Sequence, residues 1–125
     1  MREPIFLELE QVKILHVRSL EAYGGISGYR EPSLFESAVM QPRNIFYYTD
    51  GDLYDIAAGY AFHIAQAQAC LDGNKRTGIA AALTFLALNG LPIDYDEDQL
   101  YQAMIDIAER TLDRSGLAQI LRAAK

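Results

Sequence analysis

Cysteine and histidine are scarce in this sequence. It has one cysteine, Cys70, and two histidines among 125 residues, and no tryptophan. A single cysteine excludes an internal disulfide and gives no sign of an oxidising compartment. One cysteine and two separated histidines are also too few for a structural zinc site, which takes four such ligands. The folded state must therefore be stabilised by a packed core rather than by disulfides or zinc. Half of the residues are hydrophobic and can supply such a core.

Positive charge and long apolar segments are scarce as well. The formal net charge is −6, which argues against a general nucleic-acid binder, since such proteins cluster basic residues against phosphates. The apolar run from Gly78 to Leu88 is shorter than the roughly 20 residues that span a bilayer. Met1-Arg2-Glu3-Pro4 carries no signal-peptide pattern. We therefore expect a cytoplasmic protein with no nucleic-acid or membrane partner.

Apolar residues recur at helical spacing along most of the chain, which predicts one all-α domain over residues 1–125. The run at about 74–89 is almost wholly apolar, so it should form the central, buried helix. Acidic residues at 94–98 favour a helix start, where the helix dipole attracts negative charge. Helices are predicted over residues 8–23, from Pro32 to Pro42, over 52–69 and 74–89, after the acidic residues 94–98, and from about Ser115.

Residues 43–51 have a different character. Asn44 to Thr49 is β-prone and ends on Asp50-Gly51, a turn signal. This pattern favours a small β-hairpin or an extended flap, whose edge can pair with another extended chain. The alternative is that these aromatic residues simply cover the core.

A short polar loop lies between the two most apolar helices. Asn74, Lys75 and Arg76 fall in the first turn of the second helix, where backbone N–H groups have no intrahelical partner and the dipole favours anions. Gly73 lets a ligand approach the backbone. Cations disfavour a helix start unless an anion binds there, and Arg and Lys both bind phosphate. Asp72 is then a candidate Mg²⁺ ligand. The alternative is a solvated turn.

The order Asp72 to Gly78, followed by an alanine-rich helix that ends at Leu88-Asn89-Gly90, resembles the Doc (death-on-curing) branch of the Fic family. The resemblance covers most of the chain in the right order. Further matching segments are Tyr23-Gly24-Gly25, Gly28-Tyr29-Arg30-Glu31, Leu34-Phe35-Glu36-Ser37-Ala38, Pro42, Asp52-Leu53-Tyr54 and Ala61-Phe62-His63-Ile64-Ala65.

The resemblance implies a compact all-α Fic/Doc-type bundle and transfer from ATP or another nucleoside triphosphate, with Mg²⁺, to a protein hydroxyl. Most Fic proteins transfer AMP, whereas the Doc branch is known for phosphoryl transfer to a translation elongation factor. Lys75 stands where the AMP-transferring members have glycine, and Ile79 stands where they carry a second arginine. Both favour the Doc type. The resemblance also implies a Phd-type antitoxin as partner.

The chain departs from the family motif just before the loop. It reads Gln68-Ala69-Cys70 where the family reads His-Pro-Phe, so Gln68 stands at the position of the general base. A glutamine amide can orient a hydroxyl group but cannot accept its proton near neutral pH. No other residue replaces this base convincingly. His63 should pack in its helix, His16 has nothing local to recommend it, and Cys70 should be a small buried residue rather than a reactive thiol.

Three interpretations follow for function. The first is a Doc-type, toxin-like transferase that keeps its nucleotide site but has weak or lost catalysis. The second is a non-catalytic module, a pseudoenzyme that binds nucleotide or a protein partner. The third is an altered transferase in which the substrate or the phosphate itself takes the proton.

Overall fold

A computed structural model describes residues 2–124, and this part of the chain is helical with no strand. The predicted all-α fold is confirmed. No helix in the described part of the chain is long and apolar enough to cross a membrane. Residues 2–124 form seven helices, which are α1 (Leu9–Tyr23), α2 (Pro32–Met40), α3 (Pro42–Tyr48), α4 (Leu53–Ala67), α5 (Asn74–Leu88), α6 (Glu97–Ala108) and α7 (Arg114–Ala123).

The centre of the bundle is the pair formed by α4 and α5. They share the most extensive helix–helix interface, and α4 also packs against α2, α3, α6 and α7. The two backbones approach closely at Gly78, where a Cβ would lie 2.8 Å from the carbonyl oxygen of Ala61. The predicted central position of α5 is therefore correct, although α4 shares it. This rigid pair fixes where the loop between the two helices can lie.

The hairpin or flap predicted over residues 43–51 is wrong, because Pro42–Tyr48 forms the helix α3. Pro42 occupies the first turn, where its fixed φ suits a helix and its missing N–H costs nothing. Ile45 is 4% exposed, and the Phe46 ring packs edge-on against Phe6. The face of α3 that carries Ile45 and Phe46 therefore packs against the core, while Tyr48 remains 82% exposed. Packing has overridden the β propensity of the aromatic residues.

The loop between α4 and α5 lies against the segment between α1 and α2. The end of α4 is set by Gln68, whose backbone is left-handed at φ 46° and ψ 39°. The loop after it pairs with the segment between α1 and α2 through a single antiparallel bridge between Tyr29 and Cys70. Around that bridge the Arg30 N–H donates to the carbonyl of Ala69 at 2.7 Å. The extended segment beside the loop is thus residues 28–31 rather than 43–51.

Candidate functional site

A cavity of about 390 Å³ opens beside the loop that the sequence singled out. It lies between the end of α1, the start of α5 and one side chain of α6. All five residues predicted to bind nucleotide or metal line it. They are joined by Tyr23-Gly24-Gly25, a segment that carries the family resemblance, and by Ser19 and Tyr101, which the sequence did not indicate. The lining residues are Ser19, Tyr23, Gly24, Gly25, Leu71, Asp72, Gly73, Asn74, Lys75, Arg76 and Tyr101.

The floor of the cavity is the N-terminus of α5. Gly73 is its N-cap, with a left-handed backbone at φ 81°. A Cβ on Gly73 would lie 3.3 Å from Leu20 and 3.4 Å from the ring of His16, so a side chain there would be both strained and crowded. The next three residues, Asn74 to Arg76, carry the N–H groups that α5 leaves without an intrahelical acceptor. This end of α5 therefore presents positive charge to the cavity.

His16 holds the loop in place from α1, a role that the sequence did not predict. The side chain is 2% exposed, and its Nε2 donates to the backbone carbonyl of Asp72 at 2.8 Å. Its ring packs against Tyr29 and Phe35, with centroids 5.6 and 6.4 Å away. One feature of the sequence could have indicated that His16 is buried. His16 lies one helical turn after Val12, which is buried, and so on the same side of α1.

Asp72 is the predicted metal ligand, and its carboxylate is oriented by the backbone. Oδ2 accepts a hydrogen bond from the N–H of Ile26 at 2.8 Å. Among residues 2–124 no group of three or more metal-binding side chains surrounds it. One carboxylate still fits Mg²⁺, because this ion is often held by one or two carboxylates together with substrate phosphates and water. Asp72 suits a metal that arrives with a phosphate ligand.

Asn74 uses its side chain to shape the loop. Its Oδ1 accepts from the N–H of Cys70 at 3.0 Å, and its Nδ2 donates to the carbonyl of Cys70 at 2.9 Å. Both halves of the amide are therefore occupied by the backbone four residues earlier. The contribution of Asn74 to an anion site is its backbone N–H and the loop geometry that its side chain maintains.

Arg76 is enclosed by residues from α1 and α6. Its guanidinium carbon lies 3.6 Å from the ring centroid of Tyr23 and 4.3 Å from that of Tyr101. A nitrogen of the same group lies 3.4 Å from a carboxylate oxygen of Glu97. The Tyr23 hydroxyl also donates to Glu97, and this hydrogen bond raises the pKa of Tyr23. The guanidinium is thus held between two aromatic rings, and its charge is already partly neutralised by Glu97.

Gln68 does not line the cavity that contains Asp72. It is exposed and lies on a neighbouring cavity of about 190 Å³, together with Arg30 and Lys75. Lys75 lines both cavities, as do Leu71 and Asn74, so the predicted anion site and the position of the family base are adjacent.

The other candidate bases have separate surroundings. Cys70 is fully buried, and burial raises the pKa of its thiol to about 11. The interpretation of Cys70 as a small buried residue is therefore confirmed. His63 is partly buried, and burial, with a smaller contribution from the charge of Arg114, lowers its pKa. Its ring packs edge-on against Phe62, and it lines neither cavity.

Comparison with known proteins identifies the family of this chain. Residues 6–86 match the Fic/DOC family. A protein named Toxin Doc from Mycolicibacterium smegmatis is 36% identical over 114 residues, which cover 88% of this chain and 87% of that protein. A protein named Protein kinase doc from Escherichia phage P1 is 30% identical over 115 residues, which cover 90% of each chain. The chain therefore belongs to the Fic/DOC family, on its Doc branch.

Proposed function

We propose that this protein is a Doc-type toxin that binds ATP or another nucleoside triphosphate with Mg²⁺ and has weak or lost transferase activity. One observation carries the proposal. Asp72, Lys75 and Arg76 line one cavity at the N-terminus of α5, whereas Gln68 lies on the adjacent cavity and supplies no base. The binding half of a phosphotransfer site is present, and the proton-accepting half is missing.

Each residue of the binding half has a distinct role in this proposal. The backbone N–H groups at the start of α5 and the guanidinium of Arg76 hold phosphate oxygens. Lys75 adds a point charge beside the phosphate to be transferred. Asp72 holds Mg²⁺, which neutralises phosphate charge when bound. The pairing of Arg76 with Glu97 at 3.4 Å lowers the net attraction, so a phosphate ligand must compete with this carboxylate.

Phosphoryl transfer depends mainly on positioning and charge stabilisation, so a site without its base retains part of its rate. Loss of a general base costs about 10²- to 10⁴-fold. Lys75 stands where the AMP-transferring members of the family have glycine, so it favours phosphoryl transfer over AMP transfer. From the resemblance to the Doc branch, we expect a translation elongation factor as target and a Phd-type antitoxin as partner.

The second candidate function is a non-catalytic, partner-binding module. The absence of a base at Gln68 favours it, and a groove beside the site offers a surface for a partner. A cavity of about 190 Å³ runs between α1 and α5 and is lined by Tyr23, Ile79, Leu83 and Tyr95, among others. Tyr23 and Tyr95 are 54% and 46% exposed. An amphipathic helix of an antitoxin would bury such a surface.

The test combines nucleotide binding with transfer. ATP binding with Mg²⁺ is measured by calorimetry for the unaltered chain and for Asp72→Ala, and labelled phosphate transfer to a translation extract is measured with and without Gln68→His. Binding that is weakened by Asp72→Ala, with labelling that appears or rises only after Gln68→His, supports the proposal. Absence of ATP binding by the unaltered chain contradicts it and leaves the partner-binding module.

The toxin assignment has its own measurement. Expression of the unaltered chain and of Gln68→His is induced in bacterial cultures, and growth is followed. Weak catalysis predicts mild growth inhibition by the unaltered chain and strong inhibition by Gln68→His. Equal growth of both cultures at equal protein levels contradicts a toxin that lacks only its base.

A further inference from the structure

The second cavity, on which Gln68 lies, has features of its own. Its volume is about 190 Å³, and its polar lining includes Arg30, Gln66, Gln68 and Lys75. Within residues 2–124, no carboxylate forms a salt bridge with Arg30 or Lys75. Two cations without a salt-bridge partner therefore line a small cavity, and its lining includes no carboxylate, histidine or thiolate to act as a base.

The backbone holds both cations beside Gln68. The N–H of Arg30 donates to the carbonyl of Ala69 at 2.7 Å, which ties the start of α2 to the turn after α4. Lys75 lies in the first turn of α5 and lines this cavity as well as the 390 Å³ cavity. An anion in the second cavity and a phosphate chain in the first would therefore both lie against Lys75, at the boundary between the two cavities.

This arrangement suits one kind of acceptor. An alcohol must lose a proton as it attacks phosphorus, and Gln68 cannot take that proton. A phosphate oxygen is already ionised at neutral pH, needs no base, and is attracted by a guanidinium and an ammonium group. We infer that the acceptor at this site is a phosphate group, carried by a phosphate monoester or free in solution, rather than a neutral hydroxyl. This inference rests on the proposed nucleotide site.

The step balances without a further reactant. An ionised oxygen of the acceptor phosphate forms a bond to the terminal phosphorus of the nucleoside triphosphate. The bond between that phosphorus and its bridging oxygen breaks, and the electron pair leaves with the nucleoside diphosphate. No proton is transferred and nothing is oxidised or reduced. The product carries a new phosphoanhydride bond, and Lys75 and Arg30 offset the repulsion between the two anions.

Inorganic phosphate and glycerol are the probes for the two acceptor classes. The protein is incubated with Mg²⁺, unlabelled ATP and ³²P-phosphate, and label is followed into pyrophosphate. A parallel incubation with γ-³²P-ATP and glycerol follows label into glycerol phosphate. The variant is Arg30→Gln, and the matched control is Arg18→Gln, which removes another exposed, unpaired arginine, on α1. ATP binding is measured by calorimetry for every protein.

The expected result is labelled pyrophosphate with little labelled glycerol phosphate. We expect Arg30→Gln to reduce transfer to phosphate about tenfold or more at low phosphate concentration, as for a lost charge-assisted contact. ATP affinity should not change in either variant, and Arg18→Gln should transfer normally. Recovery of the loss at high phosphate concentration supports a binding role for Arg30.

Results that contradict the phosphate acceptor can be distinguished from results that contradict the proposed nucleotide site. ATP binding with transfer to glycerol as fast as to phosphate overturns the inference and leaves the proposed nucleotide site intact. ATP binding with no transfer to either probe overturns it in favour of the non-catalytic module. Equal transfer by Arg30→Gln and Arg18→Gln overturns the role of the second cavity. Absence of ATP binding contradicts the proposed function itself, and the inference falls with it.

Discussion

The substitution His16→Phe tests whether α1 holds the loop in its active shape. His16 is 2% exposed, and its Nε2 donates to the Asp72 carbonyl at 2.8 Å. A phenyl ring keeps the aromatic packing against Tyr29, whose ring centroid lies 5.6 Å away, although it is somewhat larger than the imidazole ring. The substitution removes the hydrogen bond, and the comparison with His16→Gln separates the loss of this bond from the change in size.

The magnitude follows from the burial of the bond. Removing the donor leaves the partly buried carbonyl oxygen of Asp72 without its partner, and such an unsatisfied group costs about 1–3 kcal/mol. The loss falls on the loop, because the carbonyl lies just before the N-cap Gly73. If local opening of residues 70–76 becomes easier by this amount, their amide hydrogen exchange should accelerate by roughly 5- to 150-fold.

Hydrogen exchange resolved by residue measures the loop, and urea denaturation measures the free energy of unfolding. His63→Phe is the matched control, since it removes the other histidine, which lines neither cavity at the loop. His16→Gln should recover part of the loss, because its amide carries an N–H donor. Unchanged exchange of residues 70–76 in His16→Phe, or equal acceleration in the distant helix α7, would refute the role assigned to His16.

Other predictions concern the core and two titratable groups. Gly78→Ala should lower the free energy of unfolding in urea by about 1–3 kcal/mol, since its Cβ would lie 2.8 Å from a backbone oxygen. Gly59→Ala should cost less, because the one short contact of its Cβ, at 2.5 Å, is with the flexible end of the Ile45 side chain, and Pro42 lies at an ordinary contact distance of 3.5 Å. Cys70, with a pKa of about 11, should react slowly with a thiol reagent at about pH 8 in the native protein and rapidly once unfolded in urea. Burial lowers the pKa of His63 from 6.5, so the unfolded state binds the proton more readily than the folded state. The contribution of neutral His63 to the free energy of unfolding should therefore be complete above pH 6.5 and be lost as the pH falls through the folded-state pKa. In His63→Gln the free energy of unfolding should depend less on pH.

Most of the fold was predictable because apolar spacing and helix-end signals agree along the chain. The helix predicted over residues 74–89 is observed as Asn74–Leu88, and that over 52–69 as Leu53–Ala67. The failure at residues 43–51 came from reading aromatic residues as a strand. Their β propensity depends on the packing that they find, and in this chain Ile45 packs against α4 as part of a helix.

The site was predictable only where its residues are adjacent in sequence. Asp72 to Arg76 form one loop, so their spacing at a helix start indicated an anion site. The side chains that support the loop come from distant parts of the chain. His16 lies 56 residues before Asp72, and Glu97 lies 21 residues after Arg76. One sequence gives no sign of such pairings, because they depend on how α1 and α6 pack around α5.

Two of the three altered positions before the loop, Gln68 and Cys70, differ in how readily the family residue can return. Gln68 is exposed and left-handed, with φ 46° and ψ 39°, a backbone region in which histidine is enriched relative to most side chains. Gln68→His should therefore fold normally and change only the chemistry. Cys70 is fully buried and bonded through its backbone to Asn74, so Cys70→Phe would overpack the core at a cost of about 1–3 kcal/mol. Any activity recovered by Gln68→His alone therefore measures how much of a transferase site the remaining loop preserves.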